Sequence, residues 1–190
     1  MPAPVHPRRA FLLGATVVLV GGCGGEDSPA LRRPGVSRED IEALNAALAF
    51  EHLEAGFYAQ AVQQPRLSAP ERELLERFAT HESAHVATLS RNIRDAGGRP
   101  VAAAPSPPAL RDPLETALAL EELRAAAYLD QLGGIANAGL LAVALSIHAV
   151  EARQVVALRG LTGRVPGQPE ALGEPLAFGT ALERARELLT

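Results

Sequence analysis

The chain has 190 residues, which is enough for one domain with a hydrophobic core. Hydrophobic residues make up 47% of the chain and aromatic residues only 4%. The periodic segments are dominated by Ala and Leu, which favour helices, so an all-α protein is expected. The net charge is -4 and every basic residue is Arg, so the chain lacks the excess of positive charge that nucleic-acid binding requires.

The N-terminal region has the pattern of an export signal. Arg8 and Arg9 precede a short apolar run, as in bacterial twin-arginine signals, and the run is too short to span a bilayer well. It ends in two Gly residues and Cys23, the only Cys, which resembles a lipidation site. We predict a signal peptide over residues 1–22, a lipid on Cys23 and a Gly/Pro-rich flexible tether over residues 23–36. An uncleaved anchor and a free thiol are the alternatives.

The first half of the remaining chain predicts two helices. Ser37 is a candidate N-cap, and a helical pattern runs from it to about Gln64, where Pro65 follows. A capping box beginning at Ser68 starts a second pattern, which stops before Gly97. In both segments apolar residues recur every three or four positions, as in a helix with one buried face.

The second half predicts two more long helices. Asp112 caps the third, which ends at Gly133, and Asn137 caps the fourth, which ends at Gly163. The Pro-rich residues 99–111 form a long crossover, which could pass over one end of the bundle and join its halves. The expected fold is therefore an antiparallel four-helix bundle.

The predicted bundle spans residues 37–163. Residues 164–190 form a C-terminal extension that is rich in Pro and Gly at first. It ends in a short amphipathic stretch over residues 180–189, which predicts a fifth helix packed on the outside.

On each of the four predicted helices, the row of apolar residues along the buried face is interrupted near its middle by a Glu. These residues are Glu51, Glu82, Glu121 and Glu151. On the second and fourth helices another polar residue follows three positions later, His85 and Gln154 respectively. On the first and third helices a Tyr follows seven positions later, Tyr58 and Tyr128. The repetition predicts that these polar residues lie at the same height in the bundle. It also predicts that the first two helices are related to the last two by an approximate two-fold axis.

Four ionised carboxylates at one level of a dry bundle would repel one another by several kcal/mol. Two divalent cations would neutralise them, and carboxylate and imidazole ligands suit Fe, Mn or Zn. Glu-x-x-His is also a spacing that metal-binding bundles use. The pattern therefore predicts a metal centre.

These motifs resemble the ferritin-like superfamily of carboxylate-bridged di-metal bundles, and more closely the ferritin-like domain family of exported bacterial proteins. The resemblance rests on four segments: residues 49–55, His81–His85, residues 120–123 and residues 150–154. It implies two divalent ions, Fe or Mn, and a reaction class of redox or peroxide chemistry at the cell envelope.

The resemblance also implies a role for each ligand. Glu51 would be terminal on the first ion with His85, and Glu121 terminal on the second. Glu82 and Glu151 would bridge the ions. Gln154 stands where the superfamily usually has His, so the second ion is expected to bind more weakly.

Other interpretations of these residues stay open. Register slips could turn the carboxylates outward to pair with Arg, and a buried Glu–Arg network would also satisfy them. Candidate partners are Arg77, Arg124 and Arg153.

Several polar or aromatic residues near the candidate ligands are expected to have other roles. Glu54 and Glu122 are expected on the flanks, and His52 and His81 on the surface or behind the ligands. Tyr58 and Tyr128 are expected as ordinary core residues, with a redox or ligand-orienting role as the alternative. His148 is a candidate substitute for the missing imidazole.

At the level of function, the sequence supports two hypotheses. The first is a lipid-anchored redox metalloprotein on the outer face of the cytoplasmic membrane, with the membrane as its partner and a monomer or small homo-oligomer as its assembly. The second is a non-enzymatic envelope module for partner binding or stress protection, with a degenerate metal site. Iron storage in a closed shell is disfavoured, since every chain would carry a lipid.

Overall fold

The computed structural model describes residues 35–104, 112–165 and 174–189. Within these ranges the chain is helical and contains no strand. The helices are α1 (Arg38–Ala61), α2 (Ala69–Asp95), α3 (Pro113–Leu132), α4 (Ala138–Leu161) and α5 (Phe178–Leu188). The all-α class, the four-helix bundle and the short C-terminal helix are thus confirmed. The predicted signal peptide (residues 1–22), Cys23 and nearly all of the tether lie outside the described residues.

The helices begin where the capping residues predict. The N-caps of the four long helices are Ser37, Ser68, Asp112 and Asn137. At the other end of α2, Gly97 adopts φ 82°, a conformation that residues with a side chain rarely adopt. The next residue, Gly98, lies so close to α1 that an added Cβ would meet the side chain of Ile41 at 2.6 Å. The end of α2 is therefore packed tightly against the start of α1.

Helices α1 and α3 run antiparallel. The side chain of Gln131, at the end of α3, donates to the carbonyl of Ala43 near the start of α1 (2.8 Å). Since α2 also ends beside the start of α1, the crossover to α3 must travel the length of the bundle. Its first part does so beside α1, where Asn45 bonds the backbone of Arg99 and Val101. The expectation that the crossover passes over one end was wrong, because the direction of α3 is set by packing rather than by linker composition; residues 105–111 are not described.

Helix α5 packs into the same core rather than lying loosely on it. Phe178, Ala181 and Ala185 are buried against α3 and α1. The Phe178 ring meets the rings of Phe50 (6.0 Å) and Tyr128 (5.9 Å) edge to face. This short helix therefore covers the side of the bundle next to the middle of α1 and α3.

Helix α4 is the most apolar of the long helices. Among the described helices it is the one whose length and composition would allow it to cross a membrane. It packs against α3, however, and buries Glu151 and Gln154 within the bundle. Its apolar character therefore fits a core helix that also leaves Leu145 and Val156 partly exposed.

Asp40 ties the start of α1 to the turn between α3 and α4. One carboxylate oxygen accepts the backbone N–H groups of Ala136 (2.8 Å) and Asn137 (3.4 Å), and the other accepts that of Ser37 (3.0 Å). Burial raises the pKa of the Asp40 carboxyl, but these hydrogen bonds outweigh it and lower the pKa below its usual value. The charged form is therefore favoured in the folded state.

We expect Asp40→Ala to lower the free energy of unfolding at pH 7 by about 1–3 kcal/mol, because three partly buried N–H groups lose their acceptor. Since the folded pKa is depressed, this stabilisation is fully present above the unfolded pKa of about 3.9, begins to decline near it and is lost as the pH falls through the lower folded pKa. Urea unfolding of both proteins between pH 7 and pH 3 measures the difference. Glu42→Ala, which removes an exposed ion pair with Arg38, is the control and should have little effect. A deficit that stays constant down to pH 3 would contradict this role.

Candidate metal centre

The middle of the bundle contains a group of buried polar side chains, which we call the polar cluster. It includes all six residues that the sequence nominated as ligands: Glu51, Glu82, His85, Glu121, Glu151 and Gln154. The four carboxylates are fully buried, Gln154 is 2% exposed and His85 is 8% exposed. Two further members, Glu54 and Arg124, are fully buried beside them. The four long helices thus bring their central polar residues to one level.

The polar cluster has an approximate two-fold relation between α1–α2 and α3–α4. Tyr58 on α1 donates its hydroxyl to Glu121 on α3 (2.5 Å). Tyr128 on α3 donates in return to Glu51 on α1 (3.0 Å). Both tyrosines are fully buried, and each orients a carboxylate on the opposite helix. Of the two predicted roles for these residues, the geometry therefore matches orientation of the carboxylates.

The first group of possible ligands combines three carboxylates with the imidazole. Its members are Glu51, Glu82, His85 and Glu151, which offer ligand atoms within 4.8 Å of one another. The His85 Nδ1 atom lies 3.0 Å from Glu151, 3.3 Å from Glu51 and 3.4 Å from Glu82. This set contains the donors that the sequence assigned to the first ion together with both bridging carboxylates.

A second group consists of Glu54, Glu121 and Glu151, again with ligand oxygens within 4.8 Å of one another. Gln154 lies beside it and donates its amide N–H groups to Glu121 (3.2 Å) and Glu82 (2.9 Å). The Gln154 amide oxygen is buried and has no hydrogen-bond partner among the described residues. The second group is therefore made of oxygen ligands alone.

The expectation that Glu54 lies on a flank was wrong. The predicted buried face of α1 contained Glu51, Ala55 and Tyr58, whereas the observed buried face contains Glu51, Glu54 and Tyr58. Both steps fit a helix of 3.6 residues per turn, so periodicity alone could not choose between them. Glu122, in contrast, lies on the flank as expected and forms an ion pair with Arg159 (2.6 Å).

Arg124 was one of three candidate partners of the carboxylates, and the structure places it inside the polar cluster. Its guanidinium forms ion pairs with Glu51 and Glu54, and lies 3.2 Å from Glu151 and 3.4 Å from Glu82. The pattern Glu-x-x-polar, which also places Arg124 three residues after Glu121, recurs on all four helices and could have revealed both Glu54 and Arg124. The structure therefore combines the predicted ligand set with the alternative Glu–Arg network.

Several oxygens of the polar cluster have no donor to satisfy them. Glu54 Oε1, Glu121 Oε2 and Glu151 Oε2 are buried and have no hydrogen-bond partner among the described residues. An unsatisfied buried polar group costs about 1–3 kcal/mol, and more when it is charged. Unpaired carboxylate oxygens in a closed, negatively charged space are suitable ligands for a cation, so the residues present fit a metal ion.

Burial and charge change the pKa values in the polar cluster in opposite directions. Burial raises the pKa of Glu82 and of Glu121 well above the usual value, and the charge of Glu151 adds to both effects. Burial also raises the pKa of Glu151, but Arg124 and His85 outweigh it and bring the pKa to about 2. Burial lowers the pKa of His85, but its carboxylate neighbours outweigh it and raise the pKa to about 12. Without a metal, His85 therefore acts as a second positive charge beside Arg124.

The other histidines of the described residues, His52, His81 and His148, lie around the polar cluster rather than in it. The ring of His148 faces Tyr128 (6.1 Å between ring centres), and the ring of His81 stacks on Phe78 (6.2 Å). Neither belongs to the two groups of ligand atoms, and His52 is partly exposed on α1. His148 is thus placed beside a tyrosine of the cluster and does not stand in for the imidazole that Gln154 replaces. Arg77, likewise, pairs with Glu73 on the surface (3.3 Å).

Comparison with known proteins identifies the family. A search of curated proteins found no match. The family model of the ferritin-like domain matches residues 39–164, which contain the four long helices except for Arg38 at the start of α1, and every residue of the polar cluster. The chain therefore belongs to the ferritin-like domain family, and its buried cluster of carboxylates and histidine is compatible with a di-metal site.

Proposed function

We propose that the protein binds divalent transition-metal ions, Fe or Mn, in the polar cluster. The observation that supports this most is the burial of five carboxylates from four helices. Several of their oxygens have no hydrogen-bond partner among the described residues. Arg124 offsets only part of their charge. Carboxylate oxygens with one imidazole form a ligand set that suits Fe, Mn and Zn.

The first group would hold one ion through Glu51, Glu82, Glu151 and the imidazole of His85. The second group would contribute Glu121, Glu54 and the other oxygen of Glu151, with Gln154 as a neutral ligand. Because an amide oxygen is a weaker donor than an imidazole, the second position is the weaker of the two. The family resemblance favours two ions, while these donors favour unequal affinities.

A bound Fe or Mn ion would supply one-electron chemistry with dioxygen or peroxide, which is the reaction class we propose. The residues of the chain prepare the site for it. Tyr58 and Tyr128 hold Glu121 and Glu51 in position by hydrogen bonds. The buried aromatic side chains around them exclude water, and the slight exposure of His85 marks the thinnest cover over the cluster.

The proposed site of action is the outer face of the cytoplasmic membrane. It is supported by the paired Arg8 and Arg9, the apolar run after them and Cys23 at its end. A lipid on Cys23 would anchor the bundle through the tether that follows, as a monomer or a small homo-oligomer. Twin-arginine export would allow the domain to fold and bind its metal before it crosses the membrane.

The alternative is a non-enzymatic envelope module that has kept the bundle but not a complete centre. Gln154 at a position usually taken by His, and a buried Arg among the ligands, favour this possibility. Metal analysis separates the two, since a module without a working centre would be purified without metal and would not be stabilised by added Fe(II) or Mn(II).

We expect Glu82→Ala to keep less than about half of the wild-type metal, because Glu82 contributes a carboxylate to the first group of possible ligands. Elemental analysis of the purified protein and thermal unfolding with added Mn(II) provide the measurement. Glu122→Ala is the matched control, since it removes a carboxylate of the same helix bundle outside the cluster. Equal metal content in wild type and Glu82→Ala would refute the site assignment.

We expect Tyr128→Phe to weaken the binding of the first ion by about tenfold, since Glu51 loses the hydroxyl that orients it. The free energy of unfolding without metal should fall by only about 0.5–1.5 kcal/mol, the usual value for one hydrogen bond. Titration with Mn(II) measures the affinity. Tyr58→Phe is the matched variant on the opposite helix, where it releases Glu121 instead, and should change the tighter site by less than about twofold. An unchanged affinity in Tyr128→Phe would mean that this tyrosine only fills the core.

A further inference from the structure

We propose that the guanidinium of Arg124 takes the place of one of the two divalent ions, so that the polar cluster binds a single divalent ion per chain. This inference rests on the proposed function, because it concerns how many ions the same site accepts. It departs from the pair of ions that the family resemblance implies, and it follows from the positions of four carboxylates around one arginine.

The first argument concerns the bridging carboxylates. Two ions that share Glu82 and Glu151 need both oxygens of each, one oxygen for each ion. Arg124 lies 3.4 Å from Oε2 of Glu82 and 3.2 Å from Oε1 of Glu151. It therefore uses the oxygen that each bridge would offer to one of the ions. Oε1 of Glu82 accepts the amide N–H of Gln154 (2.9 Å), whereas Oε2 of Glu151 has no hydrogen-bond partner among the described residues and remains for a metal.

Two further carboxylates, those of Glu51 and Glu54, also give one oxygen each to Arg124. The ion pairs are formed with Oε1 of Glu51 and Oε2 of Glu54. One guanidinium thus contacts an oxygen from each of four carboxylates, as a multidentate cation would. In contrast, Oε2 of Glu121 has no hydrogen-bond partner among the described residues, so part of the cluster still lacks a cation.

Arg124 is held in this position by its surroundings. The side chain is fully buried, and its guanidinium lies over the rings of Phe50 (5.7 Å) and Tyr128 (5.6 Å). To admit a second ion, the guanidinium of Arg124 would have to move away from both rings and from Glu54. Its charge would then need another partner or access to water. Because Arg is always protonated, it also repels a second cation at the oxygens that it contacts.

The approximate two-fold relation of the bundle indicates how to test this. Glu54 and Arg124 occupy equivalent positions on α1 and α3, three residues after Glu51 and Glu121, and they pair with each other. The double variant Glu54→Gln/Arg124→Gln removes one charge of each sign. It leaves four carboxylates, His85 and both tyrosines in place. The amide that replaces the Glu54 carboxylate keeps an oxygen at that position of the second group, so oxygen ligands for two ions are present without Arg124.

The experiment counts Mn(II) ions by equilibrium dialysis and elemental analysis of the full chain. We expect one ion per chain in the wild type and two in the double variant. The control is Glu122→Gln/Arg159→Gln, which removes an ion pair between α3 and α4 outside the polar cluster and should keep one ion. Two ions in the wild type, or one in the Glu54→Gln/Arg124→Gln variant, would overturn the inference and leave the proposed function intact. No metal in any form would contradict the proposed function itself.

A second measurement applies if the double variant folds poorly without metal. Each protein is refolded with increasing Mn(II), and its thermal midpoint is followed. The wild-type midpoint should stop rising at one equivalent and that of the double variant at two. Curves that saturate at the same number of equivalents would overturn the inference.

Discussion

The structure depends on how five buried carboxylates are tolerated in the middle of one helical bundle. Each would cost several kcal/mol of desolvation if it stayed charged and unpaired. Arg124 compensates part of this charge, and Tyr58 and Tyr128 donate hydrogen bonds to two of the carboxylates. Other buried carboxylate oxygens still have no hydrogen-bond donor among the described residues. A fold chosen for stability alone would have placed Leu at these positions, so the cost indicates a function that needs negative charge in a dry site.

The four helices serve this arrangement in pairs. The antiparallel contact of α1 with α3 brings each tyrosine opposite the glutamate of the other helix. The antiparallel contact of α2 with α4 brings His85 to Glu151 and Gln154 to Glu82. The two halves differ at Glu54 and Arg124, and again at His85 and Gln154. An approximately symmetric scaffold therefore carries an asymmetric centre, with the imidazole on one side and oxygen ligands alone on the other.

Much of this could be predicted from the sequence because a glutamate at a core position breaks an apolar stripe visibly. Glu51, Glu82, Glu121 and Glu151 were found in this way, and capping residues located the helix starts. Glu54 could not be placed, because steps of three and four residues fit the same helix equally well. Arg124 was one of three candidate partners of the carboxylates, and only the side chains packed around it show that it lies inside the polar cluster, fully buried as an arginine rarely is. The path of the crossover depends on the direction of α3, which tertiary packing decides.

The measurement that tests the account most directly is anomalous X-ray diffraction from crystals grown with Mn(II), recorded at the manganese edge. The account predicts a strong anomalous peak inside the bundle, within bonding distance of the carboxylates of the polar cluster. A cluster that shows no peak, with Glu51, Glu121 and Glu151 satisfied by protons, water and Arg124 alone, would contradict the claim that these carboxylates are buried in order to bind a cation.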